Sequence, residues 1–214
     1  MAKQGFELRA YLFIDSLQPQ LAQYIAKANK VYDPAEYDAV VMVELHPAME
    51  IHTMIDLALK ATRARLGSVV TERHYGMMQV QHREEAEVLA AGQAVLDAAG
   101  LTLADRAKVQ ILISKVIRSV EQDHAISFTG MAWGDMVTAG DSLLILEAEP
   151  AAYLQLACNE ALKAAEVKLV TIVPAGATGR LILAGTEAMI DTAAAAAIAS
   201  LEQLNRETDA AKGK

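Results

Sequence analysis

The chain is poor in the residues that do covalent, metallic or aromatic chemistry. Its 214 residues contain one cysteine, Cys158. That excludes an intrachain disulfide, a zinc knuckle of paired thiolates and a CxxC redox site. Cys158 lies in an apolar helical segment and reads as a small buried apolar residue. Aromatic residues make up 5% against 53% apolar overall, so the core is built from Ala, Val, Leu, Ile and Met. Such side chains let helices and sheets approach closely but line a deep aromatic pocket poorly. Positive charge is also short: 19 Lys and Arg face 27 Asp and Glu, a net charge of −8 with a pI near 5.1. That argues against nucleic acid or an anionic membrane as the main partner, since both reward clustered cations. No apolar run reaches the roughly 18 residues of a membrane span, and residues 1–6 carry no apolar signal-peptide core. A soluble cytoplasmic protein is expected. Phosphate-binding loops, nucleophile elbows, HExxH and dinucleotide fingerprints are missing. The five histidines, His46, His52, His74, His82 and His124, have no metal-ligand spacing, so no metal and no cofactor are expected. His52 and Asp56, four apart on a helix, read as a surface hydrogen bond rather than a catalytic dyad.

What is present is an alternation of strands and helices. Residues 7–14 read as a strand, 15–20 as a turn and 21–30 as a short helix. Residues 39–45 form a nearly continuous apolar run, expected to be a strand buried on both faces. Pro47 is expected to open a helix through about Arg63. Residues 66–70 and 77–80 flank the charged turn Thr71-Glu72-Arg73-His74-Tyr75-Gly76, with Gly76 free to take positive φ. Residues 83–99 form a helix, acidic in its first turns and stopped by Gly100. The pattern then restarts. An apolar segment covers 109–120 and a strand 142–148, Pro150 opens a helix through Ala165, strands cover 168–173 and 180–184, and an Ala-rich helix runs over 186–204. Residues 206–214 read as a disordered tail.

The restart is a repeat. With a constant offset of 103 and no gap, positions 44–76 match 147–179 at ten of 33 residues. Glu44/Glu147, Pro47/Pro150, Ala58-Leu59-Lys60-Ala61 against Ala161-Leu162-Lys163-Ala164, and Gly76/Gly179 all keep register. Two copies of one α/β unit of about 100 residues follow, with boundaries at 1–103, 104–206 and a tail at 207–214. One difference matters. Glu72 and Arg73 align with Ala175 and Gly176, so only one of two equivalent turns is charged. In the second turn, Gly176-Ala177-Thr178-Gly179-Arg180 reads either as a tight hairpin loop or as a cradle of backbone N–H groups for an anion.

These stretches resemble a known family. Glu7 to Gln20, His52 to Gly76 around Asp56-Leu57-Ala58-Leu59-Lys60 and Glu72-Arg73, Leu146 to Ala151, Asn159 to Ala165 and Gly179 to Gly185 occur in order. Together they are similar to the tandem-domain shell proteins of bacterial microcompartments, most of all the carboxysome type. The resemblance spans about residues 7–204. It implies an α/β fold, an α+β sandwich of two tandem circularly permuted BMC (ferredoxin-like) domains forming a pseudohexameric trimer, and a place in a microcompartment shell. It also implies a structural, non-enzymatic tile with a large gated central pore for metabolites. Its implied partners are itself as a homotrimer, extending to a stacked dimer of trimers, and hexameric and pentameric shell proteins. The family gate matches Glu72 and Arg73, on the pore loop with His74, Tyr75 and Gly76. The second pore loop corresponds to Pro174, Ala175, Gly176, Ala177, Thr178, Gly179 and Arg180, and the tile-edge lysines to Lys60 and Lys163. One departure stands out: relatives often carry an Arg-rich stretch where this chain has the acidic and aromatic Thr129-Gly130-Met131-Ala132-Trp133-Gly134-Asp135, which bears on stacking if that contact is made there.

The implied gate is physically coherent. Around a threefold axis, three Glu72 carboxylates repel unless paired or solvated. Alternating Glu72 and Arg73 from neighbouring chains would pair and occlude the opening. Exposed pairs contribute about 0–1 kcal/mol each, so three form a soft latch. The competing readings are a metabolite-binding regulatory protein of paired ferredoxin-like domains, using the 176–180 loop, and an enzyme using Glu72, Arg73 and His74 as an acid–base cluster.

Overall fold

A computed structural model describes residues 5–28, 36–128 and 134–213. The chain divides into two compact units, residues 1–108 with 204–214, and residues 109–203. In the first unit, β1 (Glu7–Ile14) leads to α1 (Pro19–Ala28), β2 (Ala39–His46), a short 3-10 turn at Ala48–Glu50, α2 (Ile51–Ala61), β3 (Arg65–Thr71), β4 (Gly76–His82) and α3 (Glu85–Ala99). In the second, β5 (Gln110–Ile117), α4 (Gln122–Phe128), β6 (Ser142–Glu149), a 3-10 turn at Ala151–Tyr153, α5 (Leu154–Ala164), β7 (Lys168–Val173) and β8 (Gly179–Gly185) precede α6 (Glu187–Lys212). Elements from β1 to β4 start 103 residues before their counterparts, as in Glu7 and Gln110, Ile51 and Leu154, Gly76 and Gly179. Each unit holds one four-stranded antiparallel sheet, ordered β1-β2-β4-β3 and β5-β6-β8-β7.

The helices follow from apolar spacing. Ile51, Met54, Ile55 and Ala58 recur at helical intervals and are all buried; in α5 the same positions are Leu154, Ala157, Cys158 and Ala161, also buried. Cys158 therefore occupies the core site that Ile55 fills, and burial pushes its thiol pKa far up. The central strand β2 is buried at seven of its eight positions, as its unbroken apolar run requires. Its Val41, Val43 and Leu45 join Met54, Ile55, Val88 and Val95 from α2 and α3 in one core. Gly100 ends α3 in the left-handed conformation (φ 66°). Pro47 stands one residue outside the turn it introduces, its carbonyl accepting from the Glu50 amide. Pro19 begins α1 rather than lying in the preceding turn, and α4, unforeseen in the sequence, is the counterpart of α1.

Residues 206–212, expected to lie in a disordered tail, are helical. Helix α6 continues to Lys212, and its last part belongs to the first unit. Arg106 holds it there. Arg106 is 5% exposed, and its guanidinium donates to Thr208 Oγ1 (2.8 Å), the Leu204 carbonyl (3.1 Å) and the Tyr11 carbonyl of β1 (3.1 Å). Thr208 in turn donates to the Leu204 carbonyl. Arg106→Ala strands these buried acceptors, and an expected loss of about 2–4 kcal/mol is measurable as a lowered denaturant midpoint. Exchange protection of residues 204–212 should fall with it.

Candidate functional site: the two hairpin tips

The strand pairs β3–β4 and β7–β8 end in equivalent tips, residues 72–75 and 174–178. Both tips are seated by a glycine. A Cβ on Gly76 would stand 2.1 Å from the Ala48 carbonyl oxygen and 2.7 Å from Ile51 Cβ; one on Gly179 would stand 2.7 Å from the Ala151 oxygen. Gly76 is the first residue of β4 and is not in the positive-φ region. The glycine is required for close approach to the helix entry, not for the turn conformation expected of it. Positive φ occurs in the second tip instead, at Gly176 (φ 106°).

The first tip is charged and exposed. Thr71, Glu72, Arg73 and His74 are exposed and Tyr75 is half-buried. The Glu72 amide donates to the Tyr75 carbonyl at 2.9 Å, closing the tip. Among the described residues, no ion pair engages Glu72 or Arg73. The base is a compact network. His46 Nδ1 lies 2.9 Å from the His74 carbonyl; a carbonyl only accepts, so Nδ1 carries the proton. The rings of His46, His74 and Tyr75 lie 6.1–6.5 Å apart. Arg9, the extra residue of a bulge in β1, places its guanidinium carbon 4.4 Å from the Tyr75 ring centroid. The same guanidinium donates to Glu44 Oε1 at 3.1 Å, and Tyr75 Oη donates to Glu7 Oε1 at 3.1 Å.

Glu44 is the unusual member. It is 2% exposed, and among the described residues its Oε2 has no hydrogen-bond partner. Burial raises its pKa to about 7, against the lowering effect of Arg9 and with a further raising push from the Glu72 carboxylate. The sequence reading assigns no site role to Arg9, Glu7, Glu44 or His46, yet they build the base. A signal was present: Glu44 and Glu147 are identical in the repeat.

The second tip is small and neutral. Ala175 and Gly176 stand where Glu72 and Arg73 do, and Thr178 Oγ1 donates to Glu147 Oε1 at 2.7 Å. Pro174, Ala175, Gly176 and Thr178 are half-buried, and Ala177 and Arg180 exposed. Arg180 follows on β8, opposite Glu147 in the ladder. Lys60 and Lys163 lie far along α2 and α5 and pair within their own helices, with Asp56 (2.6 Å) and Glu160 (3.1 Å). Asp56 thus accepts from Lys60 instead of meeting His52. Residues 129–133, with Trp133, lie outside the described residues. Of that stretch, Gly134 sits tight against the Leu169 and Val170 carbonyls, and the Asp135 amide donates to Leu169 O. No cluster of three metal-ligating side chains exists among the described residues, and no helix there is long and apolar enough to cross a membrane.

Comparison with known proteins bears directly on this arrangement. The chain is 43% identical over 199 residues to the carboxysome shell protein CsoS1D of Hydrogenovibrio crunogenus, covering 92% of this chain and 97% of that one. The chain belongs to the tandem-domain shell proteins of bacterial microcompartments. Residues 8–105 match the model of the CsoS1D N-terminal domain. The carboxysome shell protein CcmP of Synechococcus elongatus is 42% identical, with 94% of each chain covered. Among solved structures, the fused permuted hexameric shell protein MSM0275 from the RMM microcompartment is 40% identical with a TM-score of 0.90, covering 93% of this chain and 98% of that one. The double-ringed trimeric shell protein MSM0271 from the same compartment is 30% identical with a TM-score of 0.88, covering 92% and 97%. The two α+β units are therefore the tandem permuted BMC fold, and this shell protein has a structural role.

Two outcomes test the site's construction. Gly76→Ala should cost about 3 kcal/mol and Gly179→Ala less, because the second clash is milder; denaturant titration of both variants checks the order. Glu44 has a folded pKa above its unfolded value, so the folded state binds more protons between about pH 4.5 and pH 7. Its contribution makes stability fall as pH rises through that window. Unfolding midpoints measured across the window should slope less in Glu44→Gln.

Proposed function

We propose that three copies of this chain form a pseudohexagonal tile whose central pore is lined by the two tips and gated by Glu72 and Arg73. The observation that carries the reading is the pair of exposed opposite charges on a tip seated firmly at its base, present in one repeat and replaced by Ala175 and Gly176 in the other. Alternation around a threefold axis gives three charged and three small tips. The charged side chains then have room to swing between pairing across the axis and lying back from it. His74, Tyr75 and the 174–180 loop line the same opening.

The edge strand β5 supports self-association. Its Leu112 and Ile113 are 40% and 45% exposed, whereas β1, its counterpart, is mostly buried. In β1 the carbonyls of Arg9 and Tyr11 accept from the Ala107 amide and Arg106. A neighbouring copy would cover β5. Lys60 and Lys163 serve tile-edge contacts with hexameric and pentameric shell proteins, and the permeant molecules are small metabolites. The chain acts by assembly and passage, without turnover of its own. MSM0271 is described as double-ringed; stacking of trimers here is part of the same proposal.

The test is Glu72→Ala combined with Arg73→Ala. The trimer should persist by light scattering, and electron microscopy should find a single open pore where the unmodified protein shows both states. A closed pore in the double variant sinks the gate assignment, and a monomer in both proteins sinks the tile.

A further inference from the structure

The two tips are anchored by different chemistry on equivalent positions. In the second repeat, one neutral donor does the work: Thr178 Oγ1 bonds directly to Glu147. In the first, Tyr75 occupies the Thr178 position and bonds to Glu7 instead of the strand-end Glu44. Arg9 fills the space between, bonded to Glu44 on one side and stacked on the Tyr75 ring on the other. Its counterpart in the second repeat is Leu112, also the extra residue of a β-bulge. Among the described residues, therefore, the first tip rests on an ionic anchor and the second does not.

We propose that Glu44 is the positioning residue of the 72–75 loop: its ionised carboxylate holds Arg9 beneath Tyr75, and its protonation releases the charged tip while the Thr178-anchored tip stays seated. The inference rests on the reading of the tip as a pore loop, and makes the pore sensitive to proton activity. A guanidinium stays charged throughout the accessible pH range, so the state of the pair is decided by the carboxyl alone. A neutral carboxyl still accepts from Arg9 but no longer attracts its charge. Protonation takes away the negative charge bonded to a cation that is 11% exposed, and removes the repulsion between Glu44 and Glu72. Arg9 then gains by turning toward Glu72, Glu7 or solvent, and Tyr75 loses the group stacked on it. Burial of Glu44 without a partner for Oε2 brings this protonation into the neutral range. The other charged or titratable neighbours are Glu7 on β1, His46 on β2, and Glu72, His74 and Tyr75 on the tip. The two imidazoles are the rival proton acceptors.

Hydrogen exchange of the intact assembly at pH 6, 7 and 8, corrected for intrinsic rates, reads the tip through the Glu72 amide bonded to the Tyr75 carbonyl. In the unmodified protein, protection of peptides spanning 71–76 should fall roughly tenfold from pH 8 to pH 6, the size of losing one charge-assisted hydrogen bond. Glu44→Gln should show the low value at every pH, and peptides spanning 174–178 should not respond. If Glu44→Gln fails to assemble, Arg9→Met should lower protection at pH 8 in the same way. A Glu44→Gln protein that keeps the normal pH profile, with loss of the profile in His74→Asn, assigns the effect to the imidazole and overturns the proposal. A flat profile in the unmodified protein overturns it as well. The readout needs no pore, so the anchor can stand where the gate assignment falls, and the reverse.

Discussion

Everything distinctive about this chain depends on where a hairpin tip meets the entry of a helix. In each repeat a glycine at the start of a strand lies against a backbone carbonyl of the 3-10 turn, too close for any side chain. Those contacts tie the tip to the sheet and to the helix behind it. The residues on top of the tip are then free to diverge without altering the fold beneath. The chain exploits that freedom once, placing Glu72 and Arg73 on one tip and leaving the other small.

The anchors below the tips carry the same division further. Both repeats end their central strand in a glutamate, but the partner differs. A hydroxyl reaches Glu147, while an arginine from a bulge reaches Glu44 and sandwiches itself against Tyr75. A buried carboxylate is costly, and a single guanidinium offsets only part of that cost. Such a group sits at the base of the charged tip, whereas a neutral contact anchors the other.

Much of the fold was legible because it rests on periodicity. The helical spacing of Ile51, Met54, Ile55 and Ala58, the apolar run of β2, the Gly100 stop and the repeated Ala-Leu-Lys-Ala each report a local preference, and a constant offset doubles their weight. Residues 206–212 were illegible for the converse reason. Apart from Ala210 and Ala211 they have polar side chains, with no apolar stripe, and their helix is fastened by Arg106, about a hundred positions away. No local pattern announces such a contact. The short helix α4 was hidden in the same way, in a segment too brief for periodicity to show.

By itself, the sequence determined that there are two copies of one α/β unit, that the core is aliphatic, that one turn of two is charged, and which family the chain resembles. These follow from composition, spacing and internal identity, all local or one-dimensional properties. The tertiary structure alone decided that Gly76 serves packing instead of turn geometry, and that Glu44, Arg9, Tyr75 and Glu7 form one network. It also decided that the end of the final helix, from Leu204 on, belongs to the first unit. Each of these depends on distances between residues far apart in the chain, and only folding sets those distances.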